Sequence, residues 1–138
     1  MSLLKVNQLK KSFSSPEGEN INVVDVDNFA LTSSEFCGMR GESGSGKTTF
    51  LHLLGGILSP DDGLIELEGQ NTVQMNSSRK DSLRAGKIGY VFQSFNLLQG
   101  FSCIENLKLA MSFAGRSDHQ YAIDLLDRVG LSKRLHYY

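Results

Sequence analysis

The sequence has almost no net charge, few cysteines and no long apolar run, and each shortage excludes a class of protein. Fourteen basic side chains oppose fifteen acidic ones, which leaves a formal charge of −1. This balance gives no electrostatic footprint for nucleic acid or an acidic membrane surface. No stretch reaches the roughly 18 apolar residues of a membrane-spanning helix, and the apolar start is too short for a signal peptide. We therefore expect a cytoplasmic chain without nucleic-acid partners.

The two cysteines and three histidines show no spacing that is typical of a metal or redox site. Cys37 falls in an apolar segment that predicts a buried strand, and Cys103 falls at the start of a predicted helix. We expect both to be reduced thiols in the core. His52, His119 and His136 share no ligand spacing either, so we expect them at ordinary surface or half-buried positions.

The first half of the chain predicts strands around one helix. At 138 residues the chain has the length of one domain with one core. Its N-terminal part is rich in β-branched and aliphatic residues, and "EFCGMR" (35–40) predicts a short buried strand. A helix is then predicted by apolar residues at positions i, i+3, i+4 and i+7, namely Phe50, Leu53, Leu54 and Ile57.

The second half predicts two further strands and three helices. "LIELE" (64–68) alternates as a half-exposed strand does, and "KIGYVFQ" (87–93) predicts a buried strand. Between them "NSSRKDSLRAG" predicts a short exposed helix. Capping-box patterns then predict two helix starts, at Ser102 with Glu105 and at Ser117 with Gln120. The apolar stripe predicted for the last helix, which Gly130 ends, consists of Ala122, Leu125, Leu126 and Val129.

The segment "GESGSGKTT" matches the G-x-x-x-x-G-K-[ST] pattern of a phosphate-binding loop. Glycines let consecutive backbone amides turn inward around phosphate groups, and the following helix directs its positive end at the same oxygens. A glycine- and serine-rich surface loop can match by chance, but a strand before the loop and a helix after it favour phosphate binding. The candidate nucleotide-binding residues are Gly41, Glu42, Ser43, Gly44, Ser45, Gly46, Lys47, Thr48 and Thr49.

Two side chains of this loop carry the predicted chemistry. Lys47 supplies a full positive charge on a flexible stem that reaches the β- and γ-phosphates. The Thr48 hydroxyl is placed to ligate a Mg²⁺ ion that bridges those phosphates. Glu42 is expected to face solvent. We therefore predict a polyphosphate and Mg²⁺ as ligands.

Two longer blocks resemble the ATP-binding subunit of ABC transporters over almost the whole chain. They are "GESGSGKTTFLHLLGGILSPDDGLIELEGQ" and "KIGYVFQSFNLLQGFSCIENLKLAM". "HLLGG" and "FNLLQGFSCIENL" look most similar to the branch of lipoprotein-releasing and macrolide-export ATPases. The resemblance implies an α/β fold of the P-loop NTPase class, with an antiparallel part (1–35), a phosphate-loop core with parallel strands (36–93) and a helical segment (94–138), together one incomplete domain.

The resemblance also implies roles for residues outside the phosphate loop. Gln93 matches the family's glutamine loop, where this side chain approaches Mg²⁺ and the attacking water, so Lys47 and Gln93 become the candidate catalytic residues and Thr48 and Gln93 the candidate metal ligands. Residues 94–100 correspond to the region that meets the transmembrane subunit. Phe13 stands where the family places an aromatic that stacks on adenine. Alternatively, Gln93 caps a buried strand and Phe13 packs as an ordinary strand aromatic.

The family's partners and location follow from the same resemblance. It implies a dimer of ATP-binding subunits, bound to transmembrane permease subunits at the inner face of the cell membrane. The implied function is ATP binding and, in the complete protein, ATP hydrolysis that drives transport. A non-catalytic Mg·ATP-binding module and a small phosphoryl-transfer kinase that uses the same loop remain as alternatives.

Several family motifs for hydrolysis have no match in the sequence. They are the apolar strand that ends in Asp-Glu, the later histidine and the LSGGQ-type signature. Asp25 and Asp27 in "NVVDVD" imitate the metal-binding strand but precede the phosphate loop, where the family has an outer antiparallel sheet. We therefore expect the natural chain to continue beyond Tyr138, and we expect residues 1–138 alone to be inactive in hydrolysis.

Overall fold

The computed structural model describes residues 2–138 and divides the chain into two compact units. One unit ends at Lys80 and the other begins at Asp81. The first contains a sheet and one helix, and the second is helical. Of the helices in the described part of the chain, none is long and apolar enough to cross a membrane.

The sheet of the first unit has four strands, β1 (Ser2–Ser14), β2 (Asn20–Thr32), β3 (Asp62–Leu67) and β4 (Gln70–Asn71). All neighbouring strands are antiparallel, and their order in the sheet is β2-β1-β3-β4. The two long strands β1 and β2 form a hairpin, β3 pairs with the other side of β1, and β4 pairs with β3.

One face of this sheet packs against the helix that follows the phosphate loop, α1 (Lys47–Leu54). Leu4 and Val6 of β1 reach that face by alternation, because successive strand residues point to opposite sides, and Leu9 is buried after Gln8, whose φ is 47°. Phe50 of α1 meets Phe29 of β2 edge to face, with ring centroids 5.5 Å apart. The buried core of this unit consists of Leu4, Val6, Leu9, Val24, Phe50, Leu53 and Ile65.

The predicted helix after the phosphate loop and the predicted strand "LIELE" are both confirmed. Phe50 and Leu53 are buried as expected, but the helix ends at Leu54. Ile57, predicted on the same helical face, lies beyond the helix and is exposed. The cause is the glycine pair, since Gly56 has a φ of 65° that turns the chain out of the helix.

The predicted strand "EFCGMR" is wrong. Residues 35–40 are irregular and exposed, so Cys37 is not a buried core thiol. Phe36 is fully exposed. A buried strand needs hydrogen-bond partners on its edges, and within residues 2–138 no strand pairs with this segment. Its backbone groups are left to water, and the apolar side chains gain no cover.

The second unit contains the helices of the C-terminal half. The bounds are α2 Ser77–Lys87, which begins four residues before the division of the chain, then α3 Cys103–Phe113, α4 His119–Arg128 and a short 3-10 helix at Ser132–Arg134. The predicted exposed helix is therefore present as α2, which buries no side chain. Helices α3 and α4 pack through Ile104, Met111, Ala122 and Leu126.

The start of α3 is as predicted, and the start of α4 is not. Glu105 accepts hydrogen bonds from the amide and the hydroxyl of Ser102, at 2.8 and 2.6 Å. Helix α4 begins one residue later than expected, because the Asp118 carboxylate accepts from the amide of Tyr121 at 2.9 Å. A carboxylate caps better than the hydroxyl of Ser117, since it also complements the positive end of the helix.

The predicted buried strand "KIGYVFQ" is wrong as well. Residues 88–93 are irregular, and Val91 is 94% exposed. The reason is the same as for residues 35–40, because among the described residues no strand offers this segment an edge. In α4 the predicted stripe is confirmed at Ala122 and Leu126, whereas Val129 follows the helix and is exposed.

Candidate functional site

The phosphate loop joins the irregular segment 35–40 to the first turn of α1, and glycine conformations shape it. Gly44 has a φ of 80° and Gly46 a φ of 84°, both in the left-handed region. Gly46 is the N-cap of α1. A Cβ atom at Gly46 would lie 2.3 Å from the carbonyl oxygen of Val23. The loop can therefore approach β2 this closely only with glycine at that position.

Lys47 folds its side chain back over the loop. Its ammonium lies 2.9 Å from the carbonyl oxygen of Gly41, 2.5 Å from that of Glu42 and 3.2 Å from the Ser45 hydroxyl. The loop's own oxygens thus hold the positive charge of Lys47, which is six residues after Gly41 in the sequence. Lys47 is also the first residue of α1, so this charge and the positive end of the helix are next to each other.

The other loop residues are open to solvent. Glu42, Ser43, Gly44 and Ser45 are exposed, as expected for Glu42. Thr48 is the second residue of α1 and is exposed, while Thr49, the third residue, is half-buried. The two hydroxyls therefore belong to the same helical turn as Lys47. An exposed hydroxyl in a helical first turn is accessible to a hydrated metal ion.

A cavity of about 500 Å³ opens beside the loop. The loop contributes Ser45, Gly46 and Lys47, strand β2 contributes residues 23–26, and the irregular segment contributes residues 37–40. Sequence reasoning did not find Arg40 as a neighbour of this cavity, because its predicted strand gave no indication of where the side chain would lie. The cavity has the size of a small-molecule site.

Asp25 and Asp27 have different surroundings in the structure. Asp25 lines the cavity beside the loop and faces Lys10 at 3.8 Å, in an exposed ion pair. Asp27 is exposed on β2. Both lie in the antiparallel hairpin, as the resemblance implied. The ion pair with Lys10 gives Asp25 an ordinary structural role.

Phe13 lies near the hairpin end of β1, opposite Ile21 of β2. Phe13 is 42% exposed, and the Lys11 ammonium lies 5.5 Å from the centre of its ring. Phe13 belongs to the same unit as the loop but is absent from the described residues that line the cavity. Its predicted contact with adenine stays a prediction.

Gln93 belongs to the second unit. It lies in the irregular segment that follows α2, and its side chain is exposed. The predicted roles of Gln93 in metal binding and water positioning stay predictions. Among residues 2–138 no group of three or more histidine, cysteine or acidic side chains is placed to hold a metal ion.

Asp61, which directly precedes β3, makes hydrogen bonds that the sequence did not predict. The Asp61 carboxylate accepts from the Lys11 ammonium at 2.6 Å and from the Ser12 amide at 2.7 Å. These two bonds hold the pKa of Asp61 below its usual value, the Lys11 bond more strongly. The partners are about fifty residues apart in the chain, so no local pattern could have indicated the pairing.

Comparison with known proteins identifies the family of this site. The sequence profile described as "ABC transporter" matches residues 24–137. The chain is 36% identical to a lipoprotein-releasing system ATP-binding protein, LolD, of Idiomarina loihiensis, over 97% of this chain and 60% of that protein. It is 33% identical to a macrolide export ATP-binding/permease protein, MacB, of Syntrophobacter fumaroxidans, over 98% of this chain and 19% of that protein.

A solved structure agrees in fold. The ATP-binding cassette MJ0796, a dimer bound to ADP and phosphate after hydrolysis, superposes with a TM-score of 0.88 at 28% identity, over 98% of this chain and 60% of that chain. The chain thus spans three fifths or less of each of these proteins. With its phosphate loop before α1 and its antiparallel sheet beside it, the chain belongs to the ATP-binding cassette family of ABC transporters.

Proposed function

We propose that this chain binds Mg·ATP at the loop from Gly41 to Thr49 and that the complete protein hydrolyses ATP to drive an ABC transporter of the export or lipoprotein-release type. The observation that carries the proposal is the position of Lys47. Its ammonium lies against the loop's oxygens at the positive end of α1, so both sources of positive potential occupy one place. Polyphosphate is the ligand that this arrangement favours.

The loop's own residues would bind and orient the triphosphate. The amides of residues 41–46, in a path that turns through the left-handed conformations of Gly44 and Gly46, would donate to the phosphate oxygens. Lys47 would leave the carbonyl oxygens of Gly41 and Glu42 for the β- and γ-phosphates, since a phosphate oxygen carries more charge than a carbonyl. Phe13 would stack on the adenine ring.

The residues present fit a magnesium ion. Hydroxyl and amide oxygens are hard donors, which Mg²⁺ prefers, and the Thr48 hydroxyl is exposed in the first turn of α1. Thr48 and Gln93 would hold the ion together with phosphate oxygens, and Gln93 would orient the attacking water. The ion would neutralise charge that develops on the transferred phosphate.

The proposed partners follow from the relatives. A second copy of the ATP-binding subunit is proposed because the cassette MJ0796 is dimeric. Permease subunits are proposed because MacB combines ATP-binding and permease functions. The complete protein would then act at the cytoplasmic face of the cell membrane through its permease.

A titration of the 138-residue chain tests the binding proposal. Mg·ATP and Mg·ADP should bind and AMP should bind far more weakly, because the loop recognises the β- and γ-phosphates and AMP has neither. Inorganic tripolyphosphate should compete with ATP. Equal affinities for ATP and AMP would contradict the proposal.

Hydrolysis is tested in the natural protein that contains this chain, assayed for phosphate release. Turnover that Lys47→Ala abolishes supports the motor function. Nucleotide binding without turnover would favour the alternative, a module that holds Mg·ATP as a structural or regulatory ligand. The kinase alternative is disfavoured, because the family match extends over residues 24–137 and includes Gln93.

A further inference from the structure

Asp61 forms hydrogen bonds with the segment of β1 that directly precedes Phe13. Its amide donates to the carbonyl oxygen of Lys10 at 2.9 Å. Its carboxylate accepts from the Lys11 ammonium at 2.6 Å and from the Ser12 amide at 2.7 Å. One residue thus holds three successive residues of β1 through three separate hydrogen bonds.

The strand needs such a partner at this position. The pairing of β1 with β3 ends at Lys10 and Asp62, and the pairing of β1 with β2 shifts register between Lys11 and Ser12. Past this irregularity the Ser12 amide bonds to the Asp61 carboxylate instead of to β3. The extra residue at this shift is Val23 of β2, so β1 itself continues without an inserted residue from Lys11 to Phe13.

The same carboxylate fixes what lies against the Phe13 ring. Lys11 and Phe13 share a face of β1, two residues apart, and the Lys11 ammonium lies 5.5 Å from the ring centre. Only 17% of the Lys11 side chain is exposed. A flexible lysine loses side-chain entropy when it is held in this way, and the ion pair with Asp61 offsets that loss.

We propose that Asp61 is a positioning residue for the nucleotide base, acting through Lys11 and the Ser12 amide on the ring of Phe13. The carboxylate fixes the strand before the ring and keeps the ammonium against the ring, while Phe13 stays 42% exposed and accessible for stacking. Asp61 itself contacts no nucleotide. This inference rests on the proposed function, because it assigns a support to the adenine contact.

Isothermal titration of the 138-residue chain with Mg·ATP and with Mg·tripolyphosphate tests the proposal, because only ATP has a base. Asp61→Asn keeps the shape of the side chain but removes the charge that holds Lys11. It should weaken ATP binding by about fivefold, the size of one lost stacking contact, and leave tripolyphosphate binding unchanged. Lys11→Met should act in the same way, and Lys11→Arg should retain ATP affinity because it keeps the cation.

Two controls separate positioning from stability. Asp62→Asn changes the neighbouring carboxylate, which accepts from the amide of Gly63, and should leave both affinities unchanged. In a Phe13→Ala background, Asp61→Asn should have no further effect on ATP binding, since the group that it positions is gone. Thermal unfolding of each variant checks that the chain remains folded.

The outcomes distinguish failure of the positioning role of Asp61 from failure of the proposed function. If Phe13→Ala weakens ATP binding and Asp61→Asn does not, the positioning role is wrong and the adenine contact stands. If Asp61→Asn weakens ATP and tripolyphosphate equally, its role is structural and the inference is overturned. If the unmodified chain binds neither ligand, the proposed function fails and this inference fails with it.

Discussion

The Lys47 ammonium and the carbonyl oxygen of Gly41 lie 2.9 Å apart, so the basic residue of the phosphate loop closes back on the loop's first glycine. This hydrogen bond closes the segment between Gly41 and Lys47 into a ring, and the ammonium charge lies across the opening of that ring. Glu42 adds its carbonyl oxygen to the same ammonium. The loop is thereby shaped before the helix begins.

Gly46→Ala should destabilise the first unit more than Gly44→Ala does. Both glycines have positive φ, which costs alanine about 1–2 kcal/mol. At Gly46 the new Cβ would also lie 2.3 Å from the carbonyl oxygen of Val23, whereas at Gly44 nothing lies within 4 Å. Urea denaturation of the two variants measures the difference, and equal losses would show that the approach of the loop to β2 is not as described.

Thr48→Val should abolish the enhancement of ATP binding by Mg²⁺ and retain part of the metal-free affinity. The change removes one hydroxyl ligand and preserves the size of the side chain. Thr32→Val is the control, since Thr32 is an exposed threonine at the end of β2 and lies outside the loop. Calorimetric titrations with and without Mg²⁺ would reveal the effect. A Thr48→Val chain that keeps its full magnesium enhancement would exclude this residue as a ligand.

Phe13→Ala should weaken the binding of ATP and of GTP by about 1 kcal/mol each, because a ring face does not distinguish exocyclic groups. Ile21→Ala, on the paired strand opposite, should leave both affinities unchanged. Competition titrations give the two values. If both nucleotides bind Phe13→Ala as tightly as the unmodified chain, Phe13 is an ordinary strand aromatic.

Glu105→Gln should reduce the acid sensitivity of the second unit. Hydrogen bonds from the hydroxyl and the amide of Ser102 lower the pKa of Glu105 from its usual 4.5. A lowered pKa in the folded state means that this stabilisation is fully present above pH 4.5 and is lost as the pH falls through the lower value. Thermal unfolding between neutral pH and about pH 3 should therefore show a shallower decline for Glu105→Gln. Glu17→Gln, in the hairpin loop, is the matched control, and identical slopes for Glu105→Gln and the unmodified chain would refute this role.

Elements whose stability is local could be predicted from the sequence. The first turns of α1 and the Ser102–Glu105 start of α3 depend on neighbours within a few residues, and the structure has both as expected, although α1 ends before the predicted Ile57. The strands predicted at 35–40 and 87–93 depend on partners elsewhere, and apolar composition alone does not provide those. Asp118 rather than Ser117 caps α4, because two capping acceptors lie next to each other in the sequence and the local pattern does not choose between them.

The residues of the candidate site also differ in whether local sequence or tertiary packing determines their positions. The loop residues are contiguous, so their spacing alone predicts the phosphate site. The contact of Asp61 with Lys11 and the place of Arg40 beside the cavity arise from tertiary packing, which no spacing indicates. The family resemblance supplied Gln93 and Phe13, whose exposed positions on an irregular segment and a strand carry no chemical signal by themselves.

The affinity of Lys47→Ala for Mg·ATP tests the central claim most directly. Lys47→Ala removes the full charge at the mouth of the loop, while Lys133→Ala removes a matched charge from the short 3-10 helix of the second unit. Isothermal titration should show a loss of about 1.5–3 kcal/mol for Lys47→Ala, the range of a charge-assisted hydrogen bond, and no loss for Lys133→Ala. Unchanged affinity in the folded Lys47→Ala chain would contradict the assignment of this loop to phosphate binding.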